Sequence, residues 1–212
     1  MEFFSQFAGF FQNGGPFMIV ILLTGVAVLA LTLERIWVIG RAASVNSGKL
    51  TRDLLRLVGQ GDYSKAVVLA KKVKGPVGEV AVAILDRRAP ASEEKLQNAS
   101  DGAATIALPP LSRRLPYLSM LANSATLLGL LGTIFGLTTA FSAVGAADPS
   151  QRSAFLAAGI SQALNTTAFG LIVAVPTLLI HGFLVSKVEA IVESVDEASI
   201  RIIRAMSGGD AA

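Results

Sequence analysis

Pro116 to Ala147 form a stretch of thirty-two residues with no charged side chain, PYLSMLANSATLLGLLGTIFGLTTAFSAVGAA. At about 1.5 Å per residue a helix over this stretch runs roughly 48 Å, more than the ~30 Å of a bilayer's hydrocarbon core. Ser119, Asn123, Thr126 and Thr133 recur within it at spacings of four, three and seven, which places them on one helix face. Hydroxyls and an amide turned to lipid would go unsatisfied, so the stripe should face protein or water. The segment is therefore a candidate pore wall or close helix interface.

Two further stretches pass the same length test. The first, roughly Pro16 to Ile39, is uncharged from Pro16 to Leu33 and closes on Glu34–Arg35. It lacks the basic start of a signal peptide and reads as an uncleaved spanning helix. The other, about Phe155 to Val185, is interrupted only by uncharged polar residues, Pro176 and His181. Of 212 residues 52% are hydrophobic and 16% charged, below the quarter common in soluble domains.

Residues 41–116 carry thirteen Lys or Arg against seven Asp or Glu, whereas residues 1–16 hold only Glu2 and the turn after the second span only Asp148 and Arg152. A pI near 9.4 admits nucleic-acid binding, but retention of basic loops on the cytoplasmic side accounts better for the placement. It predicts an outer segment 1–15, span 16–39, cytoplasmic region 40–116, span 117–146, outer loop 147–155, span 156–185 and cytoplasmic tail 186–212, with the N-terminus outside. The expected fold class is an all-α membrane protein: three transmembrane helices with long cytoplasmic helical extensions.

Those extensions have their own signals. Leu50, Leu54, Leu55, Leu57 and Val58 make a helical stripe stopped by Gly59 and Gly61, and Asp62 is placed to cap a second helix ending at Lys71, Lys72 and Lys74. Gly75–Pro76 breaks that helix, a third should cover Val77–Arg88, and Ser92 with Glu93 and Glu94 opens a fourth. Pro109–Pro110 and Pro116 mark a break before the second span. Val188, Ile191, Val192, Val195, Ile200 and Ile203 predict that the third span continues as an amphipathic helix.

The chemistry is sparse. No Asp, Lys or Arg lies within the spans short of Glu34–Arg35, cysteine is absent, and His181 is the only histidine. A self-contained ion pump needs a titrating or ion-coordinating group at mid-membrane, so if ions cross here that group must come from another polypeptide. An enzyme, a metal site and a cofactor are not expected. A lone solute carrier is disfavoured by three spans without an internal repeat. A non-conducting membrane scaffold stays as the alternative.

Gly129, Gly132 and Gly136 in the second span, and Gly159, Ala163, Thr167, Gly170 and Ala174 in the third, form small-residue strips that let membrane helices approach closely. Such strips pack spans within one chain or between chains. Thr133 and Thr167 sit mid-span, where a threonine either lines a pore or bonds the carbonyl one turn back.

Leu127–Phe141, LLGLLGTIFGLTTAF, and Gly159–Pro176, GISQALNTTAFGLIVAVP, closely resemble the two signature regions of the MotA/TolQ/ExbB proton-channel family, in its three-span ExbB/TolQ branch. That resemblance implies a homo-oligomeric ring, usually a pentamer, in the bacterial inner membrane around the single spans of an ExbD/TolR-like partner dimer. An aspartate on the partner would take up and release protons, and Thr133 and Thr167 would line the cavity near it. Asn123, Thr126 and Thr166 are placed with them as candidate lining. The process energised would be of the TonB-dependent import, Tol-Pal or gliding kind, with no cofactor. Gln162 stands where many relatives carry Glu, which puts a relay there in doubt. Thr126 replaces a frequent Pro, and His181 a frequent Tyr. Glu34, Arg35 and His181 read as interface anchors.

Overall fold

The computed structural model describes residues 14–87 and 91–207. Most of the expected outer segment 1–15, the Arg88 end of the third soluble helix and the end of the tail lie outside the described residues. Every regular element among the described residues is an α-helix: α1 (Pro16–Ala43), α2 (Ser47–Gly59), α3 (Tyr63–Lys72), α4 (Pro76–Leu85), α5 (Glu93–Ala107), α6 (Pro109–Ser112), α7 (Leu115–Ala146) and α8 (Arg152–Ser207). Among the described residues three stretches, within α1, α7 and α8, are long and apolar enough to cross a membrane. The chain divides into two compact units, Met1–Leu33 with Pro116–Gly182 and Glu34–Leu115 with Phe183–Ala212.

In the first unit the spans meet through small residues and a few large ones. Met18, Ile21 and Phe169 are buried together, with Leu128 and Val173 beside them. Ala122, Ala125 and Ala174 form a second knot. Phe17 and Phe135 meet edge to face, ring centroids 5.4 Å apart. Large side chains on the remaining faces, such as Leu23, Leu127, Ile134 and Leu179, are exposed, as lipid- or protein-facing spans require. Pro176 lies inside α8, where it cannot donate to the carbonyl of Ile172; Thr177 Oγ1 donates to the neighbouring Val173 carbonyl at 2.6 Å.

The second unit is a helical core that forms where the sequence pattern places it. Asn46 caps α2, its side-chain oxygen accepting from the Lys49 N–H at 3.0 Å, and Leu50, Leu54 and Val58 of that helix are buried. Gly61 supplies the positive φ of +74° that turns the chain into α3. Asp62 caps α3, accepting from the Lys65 N–H at 3.1 Å and from its ammonium at 2.6 Å. The ammonium first, then the backbone N–H, hold the Asp62 carboxyl below its ordinary value. The cap's contribution is therefore complete above the ordinary carboxylate range and fades as pH falls through the lowered value.

Pro76 opens α4 at a position whose N–H has no helical partner, and Val77, Val80, Ala81, Ile84 and Leu85 turn inward. Leu96 of α5 and Val195, Ile202, Ile203 and Met206 of α8 complete the core. Each fully buried Leu or Ile contributes about 1.5–3 kcal/mol. The third soluble helix starts one residue earlier than its pattern suggested and gives way to a turn after Leu85. In α8 the inward face carries Ala198, Ser199 and Ile202, while Ile200, expected inside, is exposed. The stripe read from the large apolar residues alone had missed the small ones.

Candidate functional site

α7 and α8 pack in the first unit along one small-residue seam. Ala122, Ala125, Gly129, Gly132, Gly136 and Ala140 are buried at spacings of three and four, a single helix face. Gly159, Ala163, Thr166, Gly170 and Ala174 answer them from α8. The approach leaves no room for side chains. A Cβ on Gly170 would lie 2.7 Å from the Ala125 carbonyl oxygen and 3.2 Å from Gly129 Cα. On Gly129 it would be 3.2 Å from Thr167 Cα, and on Gly136 3.2 Å from Ala163 Cα. Gly129, Gly136 and Gly170 lie against backbone of the facing helix, whereas Gly132 receives the Thr166 side chain and Gly159 the Ala140 methyl.

Thr133 and Thr167 face each other across this seam. Thr133 Oγ1 donates toward the Gly129 carbonyl at 3.1 Å, within reach of the Ala163 carbonyl at 3.4 Å. Thr167 Oγ1 lies 2.9 Å from the same Gly129 carbonyl oxygen, so one hydroxyl donates to that carbonyl while the other donates to its fellow hydroxyl. Both side chains are half-buried. Each hydroxyl has one proton and two lone pairs, so the pair keeps acceptor capacity for a third group while neither member titrates. Such a pair can hold or orient a proton donor but cannot carry the charge itself.

The other candidates separate. Asn123 and Thr126 are exposed at the surface of the unit; Thr126 bonds the Ala122 carbonyl at 3.3 Å, and Asn123 makes no side-chain hydrogen bond to a described residue. Thr166 does not share their setting. It is 1% exposed, with its methyl against Gly132 and its hydroxyl 2.7 Å from the Gly14 carbonyl and 2.9 Å from that of Gln162. Its expected pore-lining role is corrected to tying α8 to the turn that opens α1. One residue step, about 100° around the helix, separates it from Thr167. Beside it the Gln162 side chain lies against Gly15, whose φ of +71° suits glycine. His181 is half-buried and bonds no described residue.

Glu34 and Arg35 belong to the second unit. Arg35 is 4% exposed; its Nε and Nη2 grip the Glu34 carboxylate at 2.7 and 2.5 Å, and its Nη1 donates to the Pro110 carbonyl at 3.0 Å. Arg114 joins from the other side, 2.9 Å from Glu34. The pair thus clamps the proline turn of α6 to α1 within one chain, a contact for which adjacency of Glu and Arg gave no signal. Arg35→Ala strands the Pro110 carbonyl and should lower stability by about 2–3 kcal/mol, read as a lower unfolding midpoint in detergent. Arg35→Lys should recover only part, because an ammonium cannot fork onto carboxylate and carbonyl together. An unchanged midpoint in Arg35→Ala would remove the clamp.

Among the described residues no group of three His, Asp or Glu comes together to hold a metal ion. Residues 70–197 match the MotA/TolQ/ExbB proton channel family. An ExbB-like biopolymer transport protein of Synechocystis sp. is 32% identical over 179 residues, 83% of this chain and 69% of that protein. An ExbB homologue of Methanothermobacter thermautotrophicus is 23% identical over 197 residues, 92% of this chain and 69% of its own. The Tol-Pal system protein TolQ of Haemophilus influenzae is 36% identical over 81 residues, covering 38% of this chain and 35% of TolQ.

Proposed function

The chain belongs to the MotA/TolQ/ExbB proton channel family, and on that premise we propose that it is a ring-forming subunit of an inner-membrane motor driven by the proton-motive force. The observation that carries this reading is the Thr133–Thr167 pair: two hydroxyls bonded to each other in the middle of spans that hold no carboxylate. They supply polar footing for a proton carrier and leave the carrier to another chain.

The carrier is an aspartate on the single span of an ExbD/TolR-like partner, enclosed by a ring of this subunit, with five copies around two. Protonated, the aspartate is neutral and can donate to the free lone pairs of the threonine hydroxyls; ionised, it is held where the amide of Asn123 can donate to it. Thr126 and Asn123, exposed on the unit surface, extend that polar footing. The N-terminus lies outside and the basic stretch 41–116 in the cytoplasm. Movement of the partner against the ring drives an envelope process.

Co-expression with an ExbD/TolR-like protein, followed by native mass spectrometry, tests the assembly. Five copies of this chain retaining two of the partner is the expected result. A homo-oligomer that never retains a partner would favour a non-conducting scaffold.

A further inference from the structure

A groove of about 570 Å³ opens in the second unit between the end of α1, the start of α2 and the end of α3. Arg41, Lys49, Lys72 and Lys74 stand around it, with Asp53 the one carboxylate in its wall. All four cations are exposed, and none forms an ion pair with a described residue. Four cations around one concave volume repel each other, and the single carboxylate of Asp53 offsets only part of that. The lysines ending α3 do suit that helix's dipole. Arg41, in the last turn of α1, suits its own helix's dipole in the same way, but Lys49 stands in the first turn of α2, where a cation has no such support.

The place of the groove along the chain narrows what fills it. Arg41 directly follows the apolar run that ends at Ile39, on the same helix. Its guanidinium lies 5.6 Å from the ring of Trp37, and Trp37 is 65% exposed. A tryptophan of that exposure at the end of a span is a headgroup-level anchor, and cations just beyond it meet anionic phosphates. The volume falls in the range of small-molecule sites. Asp53 suits a headgroup that also brings hydroxyl donors.

We propose that this groove is a binding site for the headgroup of an anionic phospholipid, its phosphodiester held by Arg41, Lys49, Lys72 and Lys74 and its glycerol hydroxyls turned toward Asp53. The site needs only that α1 crosses a membrane and is independent of ion conduction. It pins the start of the soluble core to the bilayer surface.

The test uses the purified full chain in nanodiscs of phosphatidylcholine doped with phosphatidylglycerol, with lipid retained after detergent extraction counted by native mass spectrometry. Lys49→Ala with Lys72→Ala should weaken phosphatidylglycerol retention about thirtyfold. Arg52→Ala with Arg56→Ala removes equal charge from residues outside the groove and should change it by less than about threefold. Equal losses in both pairs, or none in the first, would overturn the site. Free glycerol 3-phosphate is the second arm: displacement of the lipid at low millimolar concentration would assign the groove to a soluble phosphate instead and sink the lipid assignment. Circular dichroism of the groove variants, unchanged, excludes unfolding as the cause.

Discussion

A chain carrying Thr133→Val and Thr167→Val together is expected to assemble with its partner normally yet to conduct protons at least about a hundredfold more slowly, the scale of losing a positioned proton-transfer contact. Valine replaces each hydroxyl with a methyl of similar size, so the seam between α7 and α8 stays filled. The Gly129 carbonyl, within reach of both hydroxyls, loses its side-chain donor. It keeps its place in the helix ladder, so the structural cost is small. What disappears is the polar footing for a carrier at mid-span. The measurement is dye-reported proton flux into vesicles containing the chain and its partner, beside a subunit count of the same preparation. Normal flux in the double variant would refute the pore assignment, whatever the assembly does. Thr166→Val provides the contrast. Its hydroxyl ties α8 to the Gly14 carbonyl, so its loss should lower stability before it touches flux.

Gly170→Ala is expected to be strongly destabilising. Its Cβ would sit 2.7 Å from the Ala125 carbonyl oxygen and 3.2 Å from Gly129 Cα, both backbone atoms that cannot rotate aside. α7 and α8 must move apart, at a cost of about 1–3 kcal/mol or more. Because Gly129 holds the carbonyl within reach of both threonine hydroxyls, the same displacement should loosen the hydroxyl pair and lower flux. Thermal unfolding in detergent reads the first effect, with about 2–4 °C for each kcal/mol in a chain of this size. Gly102→Ala, inside α5 with open space around its Cβ, should be neutral or slightly stabilising through helix propensity. If the two variants unfold alike, the seam is looser than its geometry implies.

How much of this was legible beforehand differs by residue. Asp62 is a cap in both readings because capping is a local matter: one carboxylate, one helix start, three residues. The glycines were legible as packing residues, since a strip of small side chains serves nothing else at that spacing. Whether they packed within the chain or between chains was not, because the strip looks the same from either partner. Arg35 was read as an anchor, but its bond to the Pro110 carbonyl spans 75 residues of sequence, and no pattern encodes such a distance. The basic groove likewise gathers Arg41, Lys49, Lys72 and Lys74 from three helices and the loop after α3, whose charges, taken in order, look like ordinary solvated faces.

The sequence by itself determined that three stretches of this chain are long and apolar enough for a bilayer, that the region joining the first two follows a helical pattern, and that no carboxylate stands in the middle of the spans. These follow from hydropathy, period and composition, which are properties of neighbours along the chain. Only the tertiary structure decided which threonine does what. Thr166 and Thr167 are adjacent and chemically identical, and a rotation of about 100° on one helix sends the first into a closed contact with Gly14 and the second against Thr133. That choice is set by how α7 and α8 meet across their glycines, close enough that Gly132 leaves room for the Thr166 methyl and Gly129 lies against the Thr167 backbone.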